Sequence, residues 1–203
     1  MNRFRLMRRI IVHATTQNYN NLFTSLILNT VLDADSLTAK LKCGNDATTY
    51  IPNDEEVRFG FDNSKLINLQ SRGIIYLIES RIRPQQSSTA LLGFANYSLE
   101  HLMPKKWRHN WEHCQTETEA KNRDSMLLTR GNLAIIPQAL NASIRDGNWQ
   151  TKKAGKASKP GLYICAAGLI TVHDALQKDE WTEADIKDRA NWLYDQAREI
   201  WAL

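Results

Sequence analysis

Helical periodicity dominates this chain and limits what it can fold into. Apolar residues return at three- and four-residue spacing through most of its length, and one short apolar run, residues 132–136, reads instead as a strand. Phe4, Met7, Ile10 and Ile11 predict a helix over residues 3–13, and Leu22, Leu26 and Leu32 predict another over 21–32. Asp35 or Ser36 can cap a short helix through Lys42, which Gly44 would end. Pro52 ahead of Asp54, Glu55 and Glu56 suits a helix N-terminus. The longest periodic run covers residues 65–82, with Leu66, Leu69, Ile74, Leu77, Ile78 and Ile82; Gly73 weakens it and Pro84 ends it. Residues 97–103 form a short stretch stopped by Pro104, 116–128 a charged helix before Gly131, and 140–146 and 149–157 short helices around a Gly147-Asn148 turn. Residues 181–201 close the chain as a helix, with Thr182 as its cap, Glu183 and Asp185 in its first turn, and Ile186, Leu193, Ala197 and Ile200 along one face.

With 42% hydrophobic residues over 203 positions, there is enough apolar material for a core, and no apolar run approaches the roughly 20 residues of a membrane span. The N-terminus is basic and then briefly apolar, but no small-residue cleavage site follows, so a helix is expected there rather than a leader. Cys43, Cys114 and Cys165 are odd in number and form no CxxC pair, which fits free thiols in a cytoplasmic protein. The net charge of +4 is unevenly spread. Residues 97–160 hold 11 Lys and Arg against 6 Asp and Glu, whereas residues 161–203 hold 4 against 8. A polyanion would be drawn to the middle of the chain.

The same region carries the candidate chemistry. Glu100 and His101 stand together, Pro104 follows three residues later, Asn132 precedes a leucine, and Asn141 lies nine residues beyond Asn132. This is the HNH (His-Me finger) pattern, which implies a β-hairpin followed by a helix with one metal ion between them. A phosphodiester resists hydrolysis because water is a poor nucleophile and the phosphate repels it; a neutral imidazole can take the proton from that water, and His101 is the candidate base. A Mg²⁺ or Mn²⁺ ion prefers oxygen ligands and keeps several waters, so Glu100 and Asn141 suffice as protein ligands. Asn132, on the facing strand, is placed to hydrogen-bond the backbone beside His101. Neighbouring strand residues point to opposite faces, so Glu100 and His101 serve one site only if the strand breaks there. Lys105, Lys106, Arg145, Lys152 and Lys153 are the candidate phosphate contacts.

Blander readings compete at several positions. Asn141 is also a good helix N-cap, and Asn132 a good turn residue after Gly131. His109, His113 and Cys114 raise a zinc site, but no fourth ligand has matching spacing and zinc is not expected. Trp107 and Trp111 suit core or loop anchors better than base-stacking platforms, and Arg8 and Arg9 suit a helix surface.

The segments SLEHLMPKKW, LLTRGNLAIIPQALNASI and GNWQTKK, with Trp181, Ile186, Arg189 and Ile200-Trp201, resemble the C-terminal HNH nuclease domain of GmrSD-type restriction enzymes. The Arg8-Arg9 pair and Pro52 followed by Asp54 and Glu55 extend the resemblance over nearly the whole chain. It implies one GmrSD-type unit over residues 1–203: a helical subregion at 1–84, a ββα-metal core at 97–157 and a helical subregion at 158–203. The polar stretch 85–89, otherwise the best internal boundary, then lies inside that unit. It also implies a mainly α fold of the α+β class, cleavage of phage DNA that is often modified, and an N-terminal ParB-like nucleotide-hydrolysing domain as partner. That partner's DGQQR-like motif does not occur in this sequence. Ala134 and Ser143 depart from the family's usual Thr and Lys, and Arg145 is the candidate substitute for the missing Lys. The competing readings are a nucleic-acid-binding or regulatory module with an inactive nuclease motif, and a helical interaction domain that never meets nucleic acid.

Overall fold

The structure, a computed structural model, describes residues 2–14, 19–28, 33, 35, 36, 39, 50–65, 68–83, 90–165 and 168–201. Their order is α1 (Asn2–Ile11), α2 (Tyr19–Ile27), α3 (Asp54–Asn63), α4 (Asn68–Ile82), β1 (Tyr97–His101), α5 (Glu117–Met126), β2 (Leu133–Pro137), α6 (Gln138–Ile144), α7 (Trp149–Ala154), β3 (Gly155–Lys156), β4 (Lys159–Pro160), α8 (Ile170–Gln177) and α9 (Glu183–Ile200). The fold is mostly helical with two small two-stranded sheets, of the α+β class. Leu32, Lys42, Cys43, Gly44, Leu66, Pro84 and residues 85–89, all used in the reading above, lie outside the described residues.

Helix starts follow local chemistry. Asn53 with Glu56, Thr116 with Glu119, and Thr182 with Asp185 each form a reciprocal capping box at the N-termini of α3, α5 and α9. Such caps are worth about 1 kcal/mol each. Gly73 does not interrupt α4, because burial of Ile74, Ile75 and Ile78 outweighs the roughly 1 kcal/mol a helical glycine costs. Two elements were not foreseen. The helix expected over residues 149–157 stops at Ala154, where Gly155 takes a φ of 94° and starts the β3–β4 hairpin. The N-terminus of α8 is secured by a distant residue: fully buried Glu79 accepts from the backbone N–H of Ile170 at 2.9 Å and of Thr171 at 2.8 Å.

Two apolar clusters organise the packing. One surrounds β2, where Leu133, Ala134, Ile135 and Ile136 are buried with Tyr97, Leu102, Trp107, Leu140, Trp149 and Trp181. The other joins α1, α3 and α4 to α9 through Ile11, Phe61, Ile74, Ile78, Leu193 and Trp201. Helix α4 serves both, since Ile75 belongs to the first and its neighbour Ile74 to the second.

Buried arginines stitch these layers together, and they correct the placing of Arg8 and Arg9 on a helix surface. Both are 1% exposed. Arg8 donates to the carbonyls of Pro52 at 2.8 Å and Trp201 at 3.0 Å and pairs with Asp54; Arg9 donates to the carbonyl of Tyr50. Arg130 donates to the carbonyls of Ile11 and Gly60, and Arg189 to those of Thr171, Arg130, Gly131 and Leu133. The planar guanidinium supplies several donors in one plane, which suits carbonyls left open at helix ends and turns. Gly131 lets α9 approach: a Cβ there would stand 1.9 Å from the Ile186 carbonyl oxygen.

The insertion between the two halves of the motif, residues 105–130, packs on the body of the protein: Trp107 is buried in the first core and donates to Asp124, while α5 packs on α3 and α9. A large indole gains more by burial against the core than a solvated loop could. His109 closes a short 3₁₀ turn over Trp107–His109 and His113 lies in irregular chain, so the two do not share a helix face.

Candidate active site

Strand β1 pairs antiparallel with β2, with Glu100 opposite Ala134 and His101 opposite Leu133. Strand β2 is buried on both faces, with Leu133, Ala134, Ile135 and Ile136 all inside, so pairing with β1 satisfies backbone groups that water cannot reach. The strand does not break between Glu100 and His101; His101 is its last residue and the chain bends directly after it at Leu102 and Met103, so the break that a shared site requires falls one residue later than expected. Asn132 holds that bend. It is fully buried, its carbonyl accepts from Leu102 N–H at 2.9 Å, and its side chain clamps Met103 from both sides. Oδ1 accepts from Met103 N–H at 2.8 Å and from the Trp181 indole at 3.1 Å, while Nδ2 donates to the carbonyls of Met103 at 2.8 Å and Leu127 at 3.0 Å. All the polar capacity of the amide facing the protein is thus engaged.

Helix α6 follows β2 directly, with Pro137 in the N-cap position, so it begins at Gln138 rather than near residues 140–141. Asn141 is therefore inside the helix and caps nothing. Its Nδ2 donates to Ser98 Oγ at 3.0 Å and to the Leu99 carbonyl at 3.3 Å, which lays the side chain across β1. Ser98 and Glu100 alternate onto the same face of the strand, so Asn141 stands over the face that bears Glu100.

Glu100 is 6% exposed and pairs with Lys152 Nζ. The same ammonium donates to the His101 carbonyl at 2.6 Å. Burial pushes the Glu100 carboxyl up from its ordinary value, Lys152 opposes that shift, and nearby Asp146 reinforces it. Burial likewise pushes Lys152 down. His101 is half-buried, and its imidazole makes no hydrogen bond among the described residues. Burial, then the positive charges of Lys105 and Lys152, lower its pKa to about 4. The native imidazole is therefore neutral at physiological pH. An unfolded histidine binds its proton near pH 6.5 and the native one only near 4, so the unfolded state holds more protons between these values and stability falls as pH drops through that window. An NMR titration of the His101 ring should give a midpoint near 4; a midpoint at 6.5 or above would contradict the environment described.

The expected phosphate contacts divide. Lys105, Lys106 and Arg145 are exposed, and Arg145 ends α6 with a φ of 32°, turning the chain toward Asp146. Lys152 and Lys153, the other two candidate phosphate contacts, are instead buried, at 0% and 3% exposed. Lys153 donates to the Lys178 carbonyl at 2.7 Å, with Trp149 and Tyr163 beside its ammonium. Both lysines lie on a short helix whose surroundings the sequence did not reveal, and long aliphatic stems let a lysine cross a core when an acceptor waits at its end. Three cavities, of about 420, 390 and 180 Å³, lie away from this cluster: none of the three is lined by Glu100, His101 or Asn141. Sequence reasoning gave Ser98, Asp146 and Trp181 no part in the site, although Trp181 donates to Asn132 and the others neighbour Asn141 and Glu100. Only Trp181 carried a signal, since a buried indole N–H needs an acceptor.

A family model described as the C-terminal domain of GmrSD restriction endonucleases matches residues 51–196. The chain belongs to that family. Membership makes it a domain of the restriction-endonuclease class and covers every candidate side chain from Glu100 to Lys153. No curated protein and no solved structure matches the chain. Among the described residues, no helix is long and apolar enough to cross a membrane.

Proposed function

We propose that this GmrSD-family domain is an HNH-type, divalent-metal-dependent endonuclease that hydrolyses DNA phosphodiester bonds. The observation that carries the reading is the β1–β2–α6 unit, in which Asn141 crosses the strand face bearing Glu100 while Asn132 clamps the bend directly behind His101. The strand pair and following helix have the order of a ββα hairpin. In this reading His101 is the base, Asn132 a positioning residue, and Lys105, Lys106 and Arg145 the phosphate contacts that orient the duplex.

The donor set suits a hard divalent ion such as Mg²⁺ or Mn²⁺. Asn141 turns its amide nitrogen to Ser98 and Leu99, which leaves Oδ1 as a ligand atom, and Lys152 occupies Oε1 of Glu100, which leaves Oε2. When bound, the ion would offset the charge on the phosphate and the departing oxygen. The protein's own part is to supply the base: the neutral His101 imidazole takes a proton from the attacking water as its oxygen bonds to phosphorus. The P–O bond to the leaving oxygen then breaks, and that oxygen is protonated from solvent. In a restriction setting, a ParB-like nucleotide-hydrolysing domain would license the cut, and phage DNA, modified or not, would be the target.

One observation favours a second reading, an inactive DNA-binding or regulatory module: Glu100 already has a buried cation partner. Incubating supercoiled plasmid with the protein and Mg²⁺ or Mn²⁺ separates the two. Nicked or linear product that disappears with a chelator supports the endonuclease. A gel shift without any product, with either ion, supports the module.

A further inference from the structure

We propose that the Lys152 ammonium is a built-in counter-charge for the metal-binding carboxylate, setting how tightly the site holds a divalent cation while it holds Glu100 and the His101 peptide in place. The inference rests on the reading of Glu100 as a ligand and adds a residue that this reading does not contain.

Lys152 has no exposed surface, and its ammonium reaches two acceptors that belong to consecutive residues, the Glu100 carboxylate and the His101 carbonyl. It therefore ties the proposed ligand to the peptide of the proposed base. Burial alone does not explain this choice of partners. Lys153, the next residue on the same short helix, is almost as buried, yet it ends on the carbonyl of Lys178. Electrostatics then gives Lys152 two opposed effects on a divalent ion. Its hydrogen bonds orient Glu100, which favours productive binding. Its positive charge beside the same carboxylate repels the incoming cation and occupies one of the two carboxylate oxygens. Removing the charge should strengthen cation binding, whereas removing the orientation should slow the reaction. A purely structural lysine would show neither split, because loss of a fold-supporting contact lowers binding and rate together.

Purified wild-type protein, Lys152→Met, Glu100→Gln and the double variant are compared by thermal denaturation with and without Mn²⁺, and by Mn²⁺ titration calorimetry. A ligand that binds only the native state raises its melting temperature. Mn²⁺ should stabilise the wild type, stabilise Lys152→Met more, and bind that variant about tenfold more tightly, the scale on which groups around a metal ligand act. Glu100→Gln and the double variant, the latter lacking both charges and so leaving none unpaired, should show no Mn²⁺ response. Plasmid cleavage by Lys152→Met at saturating Mn²⁺ should fall by about 10- to 100-fold. If Lys152→Met binds Mn²⁺ no better than the wild type while Glu100→Gln abolishes the response, the counter-charge proposal is overturned and Glu100 remains a ligand. A Lys152→Met protein that stays unfolded at saturating Mn²⁺ overturns it too, since the cation then fails to replace the ammonium. A wild-type response that survives in Glu100→Gln instead removes the ligand reading beneath the proposal.

Discussion

Replacing His101 with alanine should reduce metal-dependent plasmid cleavage by at least about 100-fold while leaving affinity for DNA within a small factor of wild type. General-base catalysis contributes on the order of 10²–10⁴ in rate. DNA affinity rests on dispersed phosphate contacts, to which a half-buried neutral imidazole adds little. The ring makes no hydrogen bond among the described residues, so its removal should cost the fold little beyond a small loss of packing. Fold and function are therefore separable at this position, and equal circular dichroism spectra for the two proteins would show it. The comparison is a time course on supercoiled plasmid beside a gel-shift titration of the same preparations. A variant that cuts at a rate comparable with wild type places the base elsewhere.

Asn132→Ala should lower global stability by at least about 3 kcal/mol, read from the midpoint of urea unfolding. The fully buried amide makes four side-chain hydrogen bonds, to Met103 N–H, Met103 C=O, Leu127 C=O and the Trp181 indole. Truncation leaves two donors and two acceptors without partners in a closed space, and each buried unsatisfied group costs about 1–3 kcal/mol. Part of this returns if water enters the vacated volume, which is why the full sum is not expected. Asn132→Asp should fare no better, because it keeps the acceptor but turns a carboxylate oxygen toward two carbonyls. Where either variant remains folded at low temperature, cleavage should still be reduced, since the bend after His101 has lost its clamp. A midpoint shift of under 1 kcal/mol would mean that the amide is not the tie the structure shows.

Patterns local in the chain were legible in advance. The cap at Thr182, the apolar strand beginning at residues 132–133 and the closing helix all depend on residues within a few positions of one another, and short-range sterics and hydrogen bonding decide them. The step from Asn132 to Asn141 was legible for the same reason, since a strand followed at once by a helix returns the chain to its neighbouring strand. The resemblance to the GmrSD family, carried by those residues, agrees with the family match.

What escaped were the long-range polar contacts. Arg8 binds the carbonyl of Trp201, Glu79 starts a helix at Ile170, and Lys152 crosses the core to Glu100. In sequence each is a charged residue on a helix, and the default for such a residue is a solvated face. Whether it is buried depends on a carbonyl, N–H or carboxylate arriving from a remote element at the right place, because an unpaired charge would be expelled to water. Periodicity and spacing alone therefore determined a mainly helical chain with one short apolar strand and the set of candidate groups around it. Only the tertiary structure decided which cations are exposed enough to meet a phosphate and which are consumed inside, where low polarity makes a paired charge stable and an unpaired one untenable.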